Sequence, residues 1–189
     1  MKFPPYFQSQ IKDYVKDLVN EQATPFLVLD LSVIEKHYLE LKNGFPSSDI
    51  FYAVKANPAN EVIERLARLG ANFDLASVNE LNKVLKFNVS TSKLAFGNTI
   101  KKRADIQYFY EQGVRLYVTD SESDLINIAK YAPNSKVYFR LSIDGSKTAD
   151  WPLSGKFGCN AQSVISLAVQ AKKLGLIPYG ISFHVGSQQ

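Results

Sequence analysis

The chain has 189 residues, 46% of them hydrophobic and 21% charged, with a net charge of +4, a composition that suits a globular domain with enough length to bury a core. Its lysines and arginines are scattered among acids, which argues against a nucleic-acid surface. No run approaches the ~18 apolar residues of a membrane span. Met1-Lys2-Phe3-Pro4-Pro5 lacks the apolar segment of a signal peptide. The single cysteine, Cys159, excludes an intrachain disulfide. A cytoplasmic protein in a reducing compartment is the expectation.

Apolar residues first recur at Phe7, Ile11, Tyr14, Val15 and Leu18, the stripe of an amphipathic helix; residues 1–24 are read as an N-terminal helical segment. Pro25 to Asp30 predicts a buried strand and Leu31 to Lys42 a helix with Ser32 as its cap, so that residues 25–48 lead into the main domain, 49–189. There the pattern settles into alternation. Strands are predicted at Ile50–Val54, Phe73–Ala76, Lys93–Phe96, Arg115–Val118, Val137–Ile143 and Tyr179–Phe183. Helices are predicted near Asn60–Leu69, Val78–Phe87, Lys101–Gln112, Ser121–Tyr131 and Ala161–Leu174.

The first five strands begin about 20 to 23 residues apart, the length of a strand, a helix and two short loops. Such a repeat demands a parallel sheet with right-handed crossovers, either open and doubly wound or closed as a barrel. Uniform spacing, and the lack of a GxGxxG turn after the first strand, favour a (β/α)8 TIM-type barrel. About six barrel strands are present, so the barrel is expected to be incomplete in this chain.

Ligand chemistry in a parallel barrel gathers at the C-terminal ends of the strands. Those ends carry Lys55, Asp74 to Ser77, Gly97-Asn98, Thr119-Asp120, Arg140 to Ser142, and His184 to Ser187. Lys55 follows the apolar run Ile50 to Val54. A lysine in a partly apolar pocket can lose its proton near neutral pH and form a Schiff base, whereas a strand-end lysine is otherwise a solvated loop charge. Arg140 lies in the apolar segment Val137 to Leu141, where a charge needs a partner; a site role and a structural ion pair are both open. His184 reads as a hydrogen-bonded residue or as part of the site. The Gly186-Ser187 turn after it could meet a phosphate. His37 has acids nearby at Glu35 and Glu40 but no second histidine at ligand spacing, so no metal site is expected. Trp151 is a loop residue with a packing role at least as plausible as one over the site mouth.

Four segments together carry a family resemblance. Phe51-Tyr52-Ala53-Val54-Lys55-Ala56-Asn57 resembles the cofactor-lysine motif of the alanine-racemase-like, fold-type III enzymes that use pyridoxal 5′-phosphate (PLP). Phe73-Asp74-Leu75-Ala76-Ser77 with Glu80, then Lys156-Phe157-Gly158, then His184-Val185-Gly186-Ser187-Gln188 match further motifs of the family in the same order. Within it, the Gly97 to Lys102 and Asp144 to Cys159 segments look most like ornithine/lysine decarboxylases.

The resemblance implies that Lys55 binds PLP as a Schiff base, that His184 stacks on the pyridine ring, and that Ser187 hydrogen-bonds the phosphate. Arg140 matches a position near the phenolic oxygen, Asp74 and Glu80 match acids around the lysine, and Lys156 matches a salt-bridging lysine at the dimer. It further implies decarboxylation of a small-molecule amino acid, L-ornithine to putrescine or L-lysine to cadaverine, in polyamine biosynthesis by a homodimer. Alternatives are diaminopimelate decarboxylase and a non-catalytic PLP-binding or regulatory homologue. Residues expected beyond Gln189 are the glutamate at the pyridine nitrogen, a glycine-rich phosphate loop and a second, β-rich domain whose cysteine completes the partner's site; Cys159 is expected to be a packed small residue instead.

Overall fold

The computed structural model describes residues 9–143 and 156–186. Helix α1 (Ser9–Glu21) and helix α2 (Leu31–Gly44) precede a six-stranded sheet of β1 (Phe51–Ala53), β2 (Asn72–Leu75), β3 (Leu94–Phe96), β4 (Leu116–Thr119), β5 (Lys136–Arg140) and β6 (Ile177–Ser182). Between successive strands lie α3 (Asn60–Arg68), α4 (Val78–Leu85), α5 (Arg103–Glu111), α6 (Glu122–Tyr131) and α7 (Ala161–Lys173).

Every neighbouring pair of strands is parallel, and the order across the sheet is the order in the chain. A doubly wound sheet reverses direction at a switch point. This one never does, so all its crossover helices lie on one face and the sheet is part of a barrel wall.

Strand alternation decides what each face receives. Phe73 and Leu75 of β2, Leu94 and Phe96 of β3, and Val137 and Phe139 of β5 are buried under the helices. They meet Val62, Ile63 and Leu66 of α3, Leu81 and Val84 of α4, and Ile106 and Phe109 of α5 in one apolar cluster. The rings of Phe96 and Phe109 stack with centroids 3.8 Å apart. The residues of opposite parity, Asp74 on β2 and Tyr138 and Arg140 on β5, face the other way, toward the barrel interior.

Three expectations need correction. Pro25 to Asp30 is not a strand: a strand exists by pairing, none of the described strands pairs with this segment, and Leu27 is 89% exposed. The cap of α2 is Asp30, not Ser32; its carboxylate accepts from the Ser32 N–H at 2.9 Å and the Ser32 hydroxyl at 2.7 Å. β5 stops at Arg140, short of Ile143, because the chain then changes partner: the Ser142 N–H donates to the Cys159 carbonyl and the Cys159 N–H to the Arg140 carbonyl, both at 2.9 Å. Trp151 and Ser187 lie outside the described residues.

Candidate cofactor site

β1 ends at Ala53 and the chain tightens into a single 3₁₀ turn, Val54–Ala56, that presents Lys55. Val54 is fully buried and anchors the turn, while Lys55 is exposed. The exit is fixed by the Tyr52 hydroxyl donating to the Asn57 carbonyl at 3.2 Å and by Asn57 Oδ1 accepting from the Ala59 N–H at 3.1 Å. Lys55 is thus the centre of a tight turn just beyond the strand, which ends one residue earlier than the predicted Val54.

On the next strand Asp74 turns its carboxyl into the same mouth. Burial pushes this carboxyl up to about 6, the negative charge of Glu80 adds to the effect, and the charges of Lys55 and Arg140 oppose it. One of its oxygens, Oδ1, is buried with no hydrogen-bond partner among the described residues. Gly97 makes the space: a Cβ at that position would lie 1.6 Å from Asp74 Oδ1. Glu80 is itself engaged in starting α4. Its Oε2 accepts from the Ala76 N–H at 2.7 Å while the Ser77 hydroxyl accepts from the Glu80 N–H at 3.3 Å, a variant of the capping box.

Arg140 closes β5 half-buried, with its guanidinium carbon 5.0 Å from the centroid of the Phe157 ring, a cation–π distance. Lys156 Nζ stands 5.1 Å from the same ring. The turn that carries Phe157 is secured by the Gly158 N–H donating to Asp120 Oδ2 at 2.9 Å. Gly158 has φ +90, and a Cβ on it would meet the Ser142 backbone nitrogen at 2.7 Å, so only glycine fits.

His184 follows β6. Its Nδ1 accepts from the Gly186 N–H at 2.8 Å, which places the ring proton on Nε2. Although the residue is exposed overall, partial desolvation of the ring, then the charges of Arg140 and of Lys55, push its pKa down, which favours the neutral imidazole that the Gly186 N–H already binds. The field of Lys55 and Arg140 therefore reaches both Asp74 and His184, and the strand ends of β1, β2, β5 and β6 form one electrostatic site.

Tyr138 belongs to the same wall and was not singled out from the sequence. Burial pushes its hydroxyl up, Asp74 adds to the effect and Arg140 opposes it. Its parity was the available signal: two residues before Arg140 on one strand, it shares that residue's face. A separate cavity of about 300 Å³, bordered by Asp49, Asn72, Arg115, Lys136 and Tyr179, lies at the N-terminal ends of the strands and holds none of these groups.

An amine, a half-buried guanidinium, an imidazole and a carboxylate with one buried, under-bonded oxygen suit an anionic, ring-shaped cofactor bearing a reactive carbonyl. The residues present fit PLP. Comparison with known proteins agrees. Residues 31–189 match the family model described as pyridoxal-dependent decarboxylase, pyridoxal binding domain. The chain belongs to that family, whose cofactor is PLP.

Among curated relatives, the chain is 34% identical over 174 residues to the lysine/ornithine decarboxylase of Selenomonas ruminantium, covering 92% of this chain and 44% of that protein. It is 35% identical over 189 residues to the ornithine decarboxylase of Saccharomyces cerevisiae, covering 97% and 40%. Antizyme inhibitor 2 of Xenopus laevis is 33% identical over 181 residues, covering 93% and 40%. Among solved structures, a variant of SrLDC in complex with PLP superposes with a TM-score of 0.88 at 32% identity, covering all of this chain and 47% of the other. The arginine decarboxylase of Paramecium bursaria Chlorella virus gives 0.88 at 31%, covering 96% and 49%. The chain thus spans less than half the length of the relatives it matches.

Proposed function

We propose that this chain is the cofactor-holding part of a PLP-dependent decarboxylase of a basic amino acid, ornithine in the first place and lysine in the second, acting in polyamine synthesis in the cytoplasm as a homodimer. What supports the reading most is that the charges of Lys55 and Arg140 act on both Asp74 and His184 at neighbouring strand ends. Relatives named as ornithine and lysine decarboxylases support the substrate class.

Lys55 would hold the cofactor through Nζ, and the turn that carries it leaves its amine open to solvent. His184, neutral and tethered through Nδ1, offers a flat ring face for the cofactor ring without changing charge. Arg140 would supply a positive charge to the anionic cofactor, and Ser187 would bond its phosphate. Asp74 balances these cations and, with a carboxyl near 6, exchanges a proton close to neutral pH. When bound, PLP supplies the conjugated ring that takes up the electron pair left by departing carbon dioxide.

Borohydride reduction of the PLP-loaded protein followed by peptide mapping should put the pyridoxyl group on Lys55; a label on another lysine overturns the assignment. Turnover with ornithine, lysine, arginine and diaminopimelate then ranks the substrates, with diaminopimelate expected to be poor. The match to a protein named for antizyme inhibition favours a second reading, a regulatory homologue. It would be preferred if the PLP-loaded protein released no carbon dioxide from any of the four.

A further inference from the structure

A second lysine in the domain is buried where Lys55 is exposed. Lys101 lies in the loop between β3 and α5, and its side chain is 0% exposed. Its Nζ donates to the Asn98 carbonyl at 3.0 Å, the Val118 carbonyl at 2.7 Å and Asp124 Oδ2 at 2.7 Å. The Thr119 hydroxyl donates to the same Asp124 oxygen at 2.7 Å. Burial pushes the Lys101 amine down and the Asp124 carboxyl up, each opposed by the other's charge. Three acceptors match the three N–H bonds of an ammonium, whereas a neutral amine has only two, so the pair is ionised.

The anchor points are what distinguish this pair from filler. Asn98 directly follows Gly97, whose N–H donates to the Leu75 carbonyl at 2.9 Å and whose missing side chain makes room for the Asp74 carboxylate. Val118 and Thr119 end β4, immediately before Asp120, which holds the Gly158 turn and so the Phe157 ring against Arg140. One ammonium thus ties the wall behind Asp74 to the support behind Arg140.

We propose that Lys101, with Asp124, is the positioning residue of the cofactor mouth, holding the β3 and β4 ends in the register that PLP binding requires. This inference rests on the PLP reading above. It concerns a residue whose side chain is enclosed by protein and spends its amine on the Asn98 and Val118 carbonyls and on Asp124.

The test is the double variant Lys101→Met/Asp124→Leu in the intact protein, which removes both charges while keeping bulk. Replacing both members of a buried pair avoids leaving an uncompensated charge, so the double variant should melt well above Lys101→Met alone, with a residual loss from the Asn98 and Val118 carbonyls and the Thr119 hydroxyl that lose their partners. Its dissociation constant for PLP, read by titrating cofactor into apo-protein, should rise tenfold or more, and amide exchange should quicken in peptides covering 96–100 and 156–160. PLP affinity within twofold of wild type and unchanged exchange, measured where the variant is folded, overturns the proposal, since the pair is then structural only. Should the double variant fail to fold, Asp124→Asn carries the test: it keeps an acceptor for Lys101, and a threefold or greater weakening of PLP binding is expected, while no change overturns the proposal. The borohydride label separates this result from the reading beneath it. Wild-type protein labelled on Lys55 together with unaffected variants removes only the inference, whereas a label elsewhere removes the reading.

Discussion

The inner strands and the edge strand of this sheet are built from similar apolar residues but have opposite surroundings. In β2 to β5 those residues are sealed under helices, and Phe73, Phe96, Tyr117 and Val137 are essentially inaccessible. In β6, Ile177, Tyr179 and Ile181 are 48%, 59% and 63% exposed, because a residue on an edge strand has a neighbour on one side only. The site follows the same division. Asp74 and Arg140, on inner strands, are half-buried, whereas Lys55 and His184, after the edge strands β1 and β6, are exposed. Position in the sheet, more than residue type, sets the dielectric each group feels, which is why Asp74 is the site carboxyl driven up to about 6.

Substitutions can break that comparison in order of expected effect. Phe109→Ala removes the ring stacked on Phe96 and should cost about 3–5 kcal/mol of unfolding free energy, measured by urea titration. Lys101→Met alone leaves Asp124 buried without its counter-charge and should also cost about 3–5 kcal/mol; it should melt well below the double variant.

Asp74 tests the electrostatic half of the comparison. Its folded-state carboxyl is raised from 3.8 to about 6, so the folded apo-protein binds this proton more tightly than the unfolded chain. The resulting stability is fully present below about pH 4 and is lost as pH rises through 6, by at most about 3 kcal/mol. Asp74→Asn should flatten that decline and make the apo-protein more stable at pH 7 by about 1–3 kcal/mol, with PLP binding weakened; an unchanged pH profile of the melting temperature would refute the assignment.

Thr119→Val deletes one buried hydrogen bond to Asp124 and should cost about 1–2 kcal/mol, read from the same urea curves. The smallest effect belongs to the edge. Tyr179→Thr should change stability by about 0.5 kcal/mol or less, and a loss as large as that of Phe109→Ala would show that β6 is covered in solution.

Much of the fold was legible because parallel β/α units impose a spacing and each strand an apolar run. The proposed site was legible for the same reason: Lys55 and His184 follow such a run, Arg140 ends one and Asp74 lies within one, and the topology carries strand ends to one mouth. Pro25 to Asp30 misled because its apolar run satisfies the strand pattern while pairing depends on a neighbour that sequence spacing does not reveal. Lys101 was read only as the start of a predicted helix and part of the Gly97 to Lys102 segment; nothing in the one-dimensional pattern shows two carbonyls and a carboxylate waiting for it.

The sequence by itself determined the β/α repeat, the order of its units and the chemical kinds of group at the mouth, since these depend on local periodicity and on chain connectivity. Tertiary structure alone decided which of those groups feel one another, that Gly97 makes room for the Asp74 carboxylate, and that one lysine is open while another is locked. Those outcomes depend on distances across strands and on exclusion of water, and both arise only when residues far apart in the chain are packed together.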